Sequence, residues 1–313
     1  MKHFISIFLF ITLLSFLSCG KNTKAIEEVD STALTIAVLP TYDCIPFYYA
    51  EQEGLFDSLG VNIRLLTYPS SMDADTAFVN GEALGVISDV VKAALWRAKG
   101  DSVKIIMALD PEISLVTCKA SRLFQLSSIK ERIIAITRHS ILDFTCDKIL
   151  ESIKMQETDL NKPQINNLYI RTQMTDQNQY DGALLPEPYT TETTKVNGAK
   201  LLTSSKKIGL HNMGALIFND SIISSRKEDI KKVITAYTIA VERLNNEKQY
   251  PLNYLPKDPT VEIPDSVFEY KMLVMPKLPS DSLLQKVNSW LIKRTLIKTP
   301  TSYKALIDST FVK

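Results

Sequence analysis

Three short polar stretches carry the side chains that could handle a small molecule. Thr41-Tyr42-Asp43-Cys44 brings a hydroxyl, a phenol, a carboxylate and a thiol together in four residues. Arg138-His139-Ser140 adds a guanidinium, an imidazole and a second hydroxyl. Glu187 stands between Pro186 and Pro188, with Tyr189 next to it. A carboxylate anchors an amine or a hydroxyl. A guanidinium grips a carboxylate or sulfonate through two parallel bonds. Tyrosine rings stack on flat rings. Ser70, Ser88 and Asp89 complete the candidate ligand contacts. Several of these residues also have a plain structural reading. Ser140, Ser88 and Asp89 suit helix caps, and the two prolines around Glu187 suit a stiff turn. No GxSxG, HExxH or phosphate-loop pattern is present, so no catalytic residue is assigned. No CxxC or His/Cys cluster suggests a metal site, and no cofactor is expected.

The elements around these stretches follow an α/β rhythm. Leu34, Ile36, Val38 and Leu39 form a strand-length apolar run, ended by Pro40. A helix from about Pro46 to Glu53 follows, with Pro near its first turn and Gly54 past its end. Strands are expected near Val61–Tyr68, Leu84–Ile87, Val103–Leu109 and Ile113–Cys118, with helices over Asp73–Asn80 and from Ser88-Asp89 to Lys99. A second strand–loop–helix unit runs from Ile133-Ile134-Ala135-Ile136 through Arg138 to a helix from about Ile141 to Lys154. Short strands are expected at Leu168-Tyr169-Ile170, Gly182–Leu185, Ala199–Leu202 and Met213–Phe218. Ser225-Arg226-Lys227-Glu228 fits a capping box. The helix after it carries Ile230, Val233, Ile234, Tyr237, Val241 and Leu244 on one face. Residues 250–282 are proline-rich, and Leu283–Ile292 is helical in pattern. This alternation implies mostly parallel sheets with crossover helices. In such folds ligands bind beyond the carboxyl ends of strands, where all three polar stretches fall.

The chain opens with a targeting pattern. Lys2 precedes an apolar run from Phe4 to Leu17 that is too short for a membrane span. Phe16-Leu17-Ser18-Cys19-Gly20 resembles a lipobox, in which Cys19 would carry lipid and become the mature N-terminus. An ordinary cleaved signal is the alternative. Residues 1–18 are thus read as a lipoprotein signal peptide and 19–32 as a flexible tether. Export permits disulfides, but Cys44, Cys118 and Cys146 are an odd number and read as buried thiols.

With 313 residues and 45% hydrophobic content, the chain is long enough for two cores. Its formal charge of +1 gives no footing for nucleic acid or for an acidic membrane surface.

Ile45-Pro46-Phe47-Tyr48-Tyr49-Ala50-Glu51-Gln52-Glu53-Gly54-Leu55-Phe56 resembles the opening of the solute-binding proteins of ABC importers. The resembling branch takes up sulfonates, taurine, nitrate and the pyrimidine precursor of thiamine. Tyr180-Asp181-Gly182-Ala183-Leu184-Leu185-Pro186-Glu187-Pro188-Tyr189 resembles a segment of that family's second lobe. The ending from Ser289-Trp290-Leu291 through Ser302-Tyr303-Lys304 to Phe311-Val312 resembles its close. The resemblance implies an α/β, two-lobed periplasmic-binding-protein type 2 fold, each lobe a mixed, mostly parallel sheet flanked by helices. Lobe 1 would comprise residues 33–118 and 213–313, and lobe 2 residues 119–212. It implies a monomeric, lipid-anchored protein of the cell envelope that captures a small nutrient between its lobes. The partners would be an ABC permease with its ATPase, and the membrane through lipid on Cys19.

Two other classes stay open. One is an enzyme on the same fold, such as the menaquinone-pathway dehydratases or the pyrimidine-precursor synthases. The export signal and the missing cysteine-rich cluster speak against it. The other is a sensory or structural lipoprotein that has lost transport. Asp43 and Glu187 favour a cationic or hydroxylated ligand such as an aminopyrimidine, whereas Arg138 favours a sulfonate.

Overall fold

The computed structural model describes residues 32–248, 251–256 and 263–312. The stretch expected to be a signal peptide, the expected lipidation site Cys19 and all of the expected tether but Thr32 lie outside the described residues. Residues 33–313 form one compact unit. Among the described residues no helix is long and apolar enough to cross a membrane.

Nine strands make two mixed sheets among the described residues. The first holds β1 (Leu34–Val38), β2 (Ile63–Thr67), β3 (Gly85–Asp89), β4 (Val103–Leu109) and β9 (Gly214–Asn219) in the order β2-β1-β3-β9-β4. Only β9 runs against its neighbours. The second holds β5 (Ile113–Thr117), β6 (Ile134–Ala135), β7 (Gly182–Pro186) and β8 (Lys200–Ser204) in the order β6-β7-β5-β8, with β5 reversed. Two of the apolar runs that read as strands, β3 and β5, are buried at every position.

Helices α1 (Ile45–Gln52), α2 (Ser71–Val79) and α3 (Val90–Lys99) follow strands of the first sheet. Helices α4 (Ile141–Ser152) and α5 (Leu168–Asp176) belong to the part of the chain that builds the second sheet. Then α6 (Lys227–Glu247) and α7 (Asp281–Lys293) follow β9. The apolar stripe of α6 is buried, and Phe47 of α1 packs against its Tyr237 with ring centroids 5.0 Å apart. Cys44, Cys118 and Cys146 are all buried and free.

Ile113–Thr117 pairs with β7 and β8 in the second sheet. The chain crosses between sheets at 110–112 and returns at 205–213. Leu168-Tyr169-Ile170 is not a strand but the first turn of α5, capped by the Asn167 side chain. Its buried stripe is Leu168, Arg171, Thr172 and Thr175, a helical spacing hidden by polar residue types. Arg171 is wholly buried because backbone carbonyls receive it: its Nε donates to Ile165 O at 2.8 Å and Nη1 to Leu184 O at 2.9 Å. The capping box at Ser225 does not form. Helix α6 has Arg226, not Ser225, at its N-cap, and the Ser225 hydroxyl donates back to Ser221 O at 2.9 Å.

Candidate functional site

The βα loops that end strands of the first sheet are shaped by short caps. Pro40 ends β1, and Tyr42–Cys44 forms one 3₁₀ turn before α1. Ser70 caps α2 by accepting from Asp73 N at 3.1 Å. Asp89 caps α3, its Oδ1 accepting from Lys92 N at 2.8 Å. Ser140 caps α4 in the same way, accepting from Leu142 N at 3.2 Å. Hydrogen bonds cross from these turns to the part of the chain that builds the second sheet. Tyr42 N donates to Glu187 O at 2.9 Å, and Leu168 N to Pro69 O at 3.1 Å. Ile141 N donates to Asp89 Oδ2 at 3.2 Å.

The two crossing segments also hold each other. Asn212 N donates to Asp110 Oδ1 at 2.6 Å, Ile113 N to Ser205 Oγ at 3.1 Å, and Ser205 N to Ile113 O at 2.7 Å.

A cavity lies among these parts. Tyr42 and Asp43 line it from the β1–α1 loop, and Glu187 from the end of β7. Asp110, Pro111, Glu112 and Lys206 come from the crossing segments, Tyr237 from α6, and Lys271 to Val274 from the irregular strap before α7. Lys271 Nζ donates to Glu187 Oε1 at 2.7 Å and to Glu112 Oε2 at 3.0 Å. The other Glu187 oxygen accepts from Thr191 N at 3.1 Å and from Thr191 Oγ1 at 2.8 Å. The Tyr42 hydroxyl donates to Lys271 O at 2.5 Å.

Charge states follow from this crowding. Burial lifts the Asp43 carboxyl to about 6, with Asp110 adding to the rise. Burial pushes the Tyr42, Cys44 and Tyr48 groups well above their usual ranges, so none ionises near neutrality. Burial works against Glu112 as a carboxylate, but Ser204 and the Lys271 ammonium outweigh it and hold Glu112 low. Burial works against the Lys271 charge too, and Glu187 and Glu112 outweigh it, so Lys271 stays protonated.

The sequence-predicted residues separate into groups. Tyr42, Asp43 and Glu187 line the cavity. Thr41 and Cys44 are buried behind it, with Thr41 Oγ1 3.4 Å from Cys44 Sγ. Tyr189 packs in the apolar core of the second sheet. Ser70, Ser88, Asp89 and Ser140 are buried in caps and bonds of their own. Ser88 Oγ donates to Asp75 Oδ1 at 2.6 Å, and Ser140 Oγ to Thr137 O at 2.7 Å. Arg138 and His139 are exposed outside the cavity lining. The Arg138 guanidinium donates to Lys162 O at 3.1 Å, and His139 N donates to Asp143 Oδ2 at 3.1 Å.

Sequence reasoning missed Asp110, Glu112, Lys206, Tyr237 and Lys271. Asp110-Pro111-Glu112 did carry a signal, since two acids flank a proline between two apolar strands. Lys271 carried none, as its stretch has no period. Among the described residues no group of three or more His, Cys, Asp or Glu side chains could hold a metal ion.

Comparison with known proteins places this architecture. A family model described as NMT1/THI5 like matches residues 41–248. No curated protein matches by sequence. The alkanesulfonate-binding protein SsuA from Xanthomonas axonopodis pv. citri, bound to MOPS, superposes with a TM-score of 0.77 at 14% identity, covering 88% of this chain and 98% of that one. The periplasmic aliphatic sulphonate binding protein SsuA from Escherichia coli gives 0.73 at 12% identity, covering 89% and 98%. The periplasmic nitrate-binding protein NrtA from Synechocystis PCC 6803 gives 0.71 at 11% identity, covering 90% and 87%. The likeness is one of fold: two mixed sheets flanked by helices, as in periplasmic binding proteins.

Proposed function

The chain belongs to the NMT1/THI5-like family, and from that premise we propose that it is an extracytoplasmic solute-binding protein. It captures a small nutrient between two lobes and delivers it to the permease of an ABC importer with its ATPase. One observation carries this reading. The cavity is lined from the β1–α1 loop, from Glu187 at the end of β7 and from both crossing segments, so an occupant would touch residues that follow a strand of each sheet and the connections between the sheets. A ligand placed there binds the closed form better than the open one and shifts the population toward it. The crossing segments 110–112 and 205–213 act as the hinge, and the lobes are the two sheets with their helices. The cleft binds rather than catalyses. Lipid on Cys19 anchors the monomer to the cell envelope, and residues 20–32 give it reach.

Thermal unfolding of the chain from residue 25 onward tests capture. The panel is taurine, alkanesulfonates, nitrate, bicarbonate and hydroxymethyl-aminopyrimidine. A ligand at about 1,000 times its dissociation constant adds about 4 kcal/mol, which raises the midpoint by several degrees. Chemical turnover of the bound compound would favour an enzyme instead. No shift with any member, in protein shown by mass spectrometry to carry no co-purified ligand, would count against capture of these nutrients. Radiolabelled palmitate incorporated by the full chain, and lost in Cys19→Ser, tests the anchor.

A further inference from the structure

The cavity is small because the chain itself fills it. The space left measures about 30 Å³, room for a water molecule or two. The Lys271 ammonium lies between Glu112 and Glu187, which come from the first crossing segment and from the end of β7. Its segment is pinned from the other side. Asn245 of α6 accepts from Leu273 N at 2.9 Å and donates to Leu273 O at 2.9 Å. Tyr237 Oη donates to Val274 O at 3.2 Å, and Tyr42 holds the Lys271 carbonyl.

The charges facing the cavity are unequal. Asp43, Asp110, Glu112 and Glu187 supply four carboxylates, against the ammoniums of Lys206 and Lys271. Lys206 pairs with Asp110 at 3.4 Å. Without the Lys271 head, Glu112 and Glu187 would lose the ammonium they share, with only the Lys206 charge still acting on Glu112 in a partly dry space, a costly state. Tyr42 and Tyr237 add aromatic walls.

We propose that this cleft takes ligands carrying a protonated amine or amidine, and that the Lys271 ammonium is the resident occupant such a ligand displaces. The inference rests on the capture reading, whose site it specifies. Displacement exchanges one charge-assisted set of bonds for another on Glu112 and Glu187. It also empties the volume of the lysine head and outer stem. The resident ion acts as an internal competitor: it keeps the empty site neutralised and weakens every cationic ligand by the work of moving it.

Calorimetric titration of the full chain tests this, with benzamidine as the flat cationic probe and methanesulfonate as the anionic one. Lys271→Met keeps the stem and removes the charge; Lys271→Arg keeps the charge. The expected result is that Lys271→Met binds benzamidine about tenfold or more tighter than the parent. Lys271→Arg should not show this gain, and Lys271→Met combined with Glu187→Gln should lose it. Methanesulfonate should bind no variant more tightly than the parent. Far-ultraviolet circular dichroism melts establish that each variant is folded. Unchanged or weaker benzamidine binding in Lys271→Met overturns the inference, as does benzamidine binding to no variant. Methanesulfonate bound by the parent and lost in Lys271→Met overturns it too, because Lys271 would then be a ligand for anions. In that last case capture stands while the cationic class falls. Failure of the separate nutrient panel would remove capture itself.

Discussion

The Asp89 carboxylate accepts from the backbone N–H of Ile141 at 3.2 Å, so a residue that ends a strand of the first sheet also bonds the first turn of α4 in the second half of the chain. Its other oxygen caps its own helix through Lys92 N at 2.8 Å. One buried carboxylate thus satisfies orphan N–H groups of two helices, where their dipoles favour negative charge.

This dual bond predicts both a stability loss and a pH signature. Burial, with Asp75 nearby, lifts the Asp89 carboxyl to about 7. Unfolded, it titrates near 4. The folded chain therefore holds a proton here that the unfolded chain has released between about pH 4 and 7. The contribution of Asp89 to stability is complete below pH 4 and is lost as the pH rises through 7. Asp43, lifted to about 6, acts in the same direction. Asp89→Asn keeps one acceptor, loses one of the two backbone bonds and cannot titrate. It should cost about 1–2 kcal/mol at pH 5. Its urea midpoint should then fall less than the parent's between pH 5 and 7.5. Parallel pH slopes for the two proteins would falsify the titration of Asp89.

Asp147 is a second tie, between α4 and the end of α7. Its Oδ1 accepts from Lys162 Nζ at 2.7 Å. Its Oδ2 accepts from Trp290 Nε1 and from Arg294 Nη1, each at 2.8 Å. Asp143 shares both cations, at 3.0 and 3.5 Å. Asp147→Ala leaves one indole and two cations short of a partner in a mostly buried place, and should cost about 3 kcal/mol. Trp290→Phe removes one donor to a charged acceptor and should cost about 1.5–3 kcal/mol. Denaturant unfolding gives both values. A loss below 1 kcal/mol for Asp147→Ala would mean that Asp143 and Glu157 satisfy the cations without it.

Gly182 opens β7 where two neighbouring strands leave no room. A Cβ there would lie 2.3 Å from the backbone oxygen of Val116 and 3.2 Å from Thr117 Cα. Backbone in a paired strand cannot swing aside, so Gly182→Ala should cost at least about 1–3 kcal/mol and disturb the β5–β7 pairing. Gly209, with φ of +73° and nothing within 4 Å of its Cβ position, is the control. There alanine meets only backbone strain, about 1–2 kcal/mol. Amide exchange separates the two: Gly182→Ala should raise exchange in β5 and β7, and Gly209→Ala should leave both strands as they were.

Much of the fold was legible because burial on both strand faces demands continuous apolar runs, and because caps must be short polar residues. The α/β alternation, the opening strand–turn–helix unit, the apolar face of α6 and the caps at Ser140 and Asp89 follow from such local rules. Local rules failed where a distant partner decided the outcome. Helix α5 looked polar because its largest wholly buried residue, Arg171, is received by carbonyls at Ile165 and Leu184. Of the candidate site, Tyr42, Asp43 and Glu187 could be named, since loops at strand ends face one another across such a fold. That Arg138 turns to Lys162 O was decided by tertiary packing. So was the placing of Lys271, 84 residues from Glu187, between two carboxylates. The sequence by itself determined which residues are apolar, which cap and which carry charge. Only the tertiary structure decided which charges meet, because a pairing between distant segments depends on how both sheets and the crossing segments are packed, and no local period encodes that.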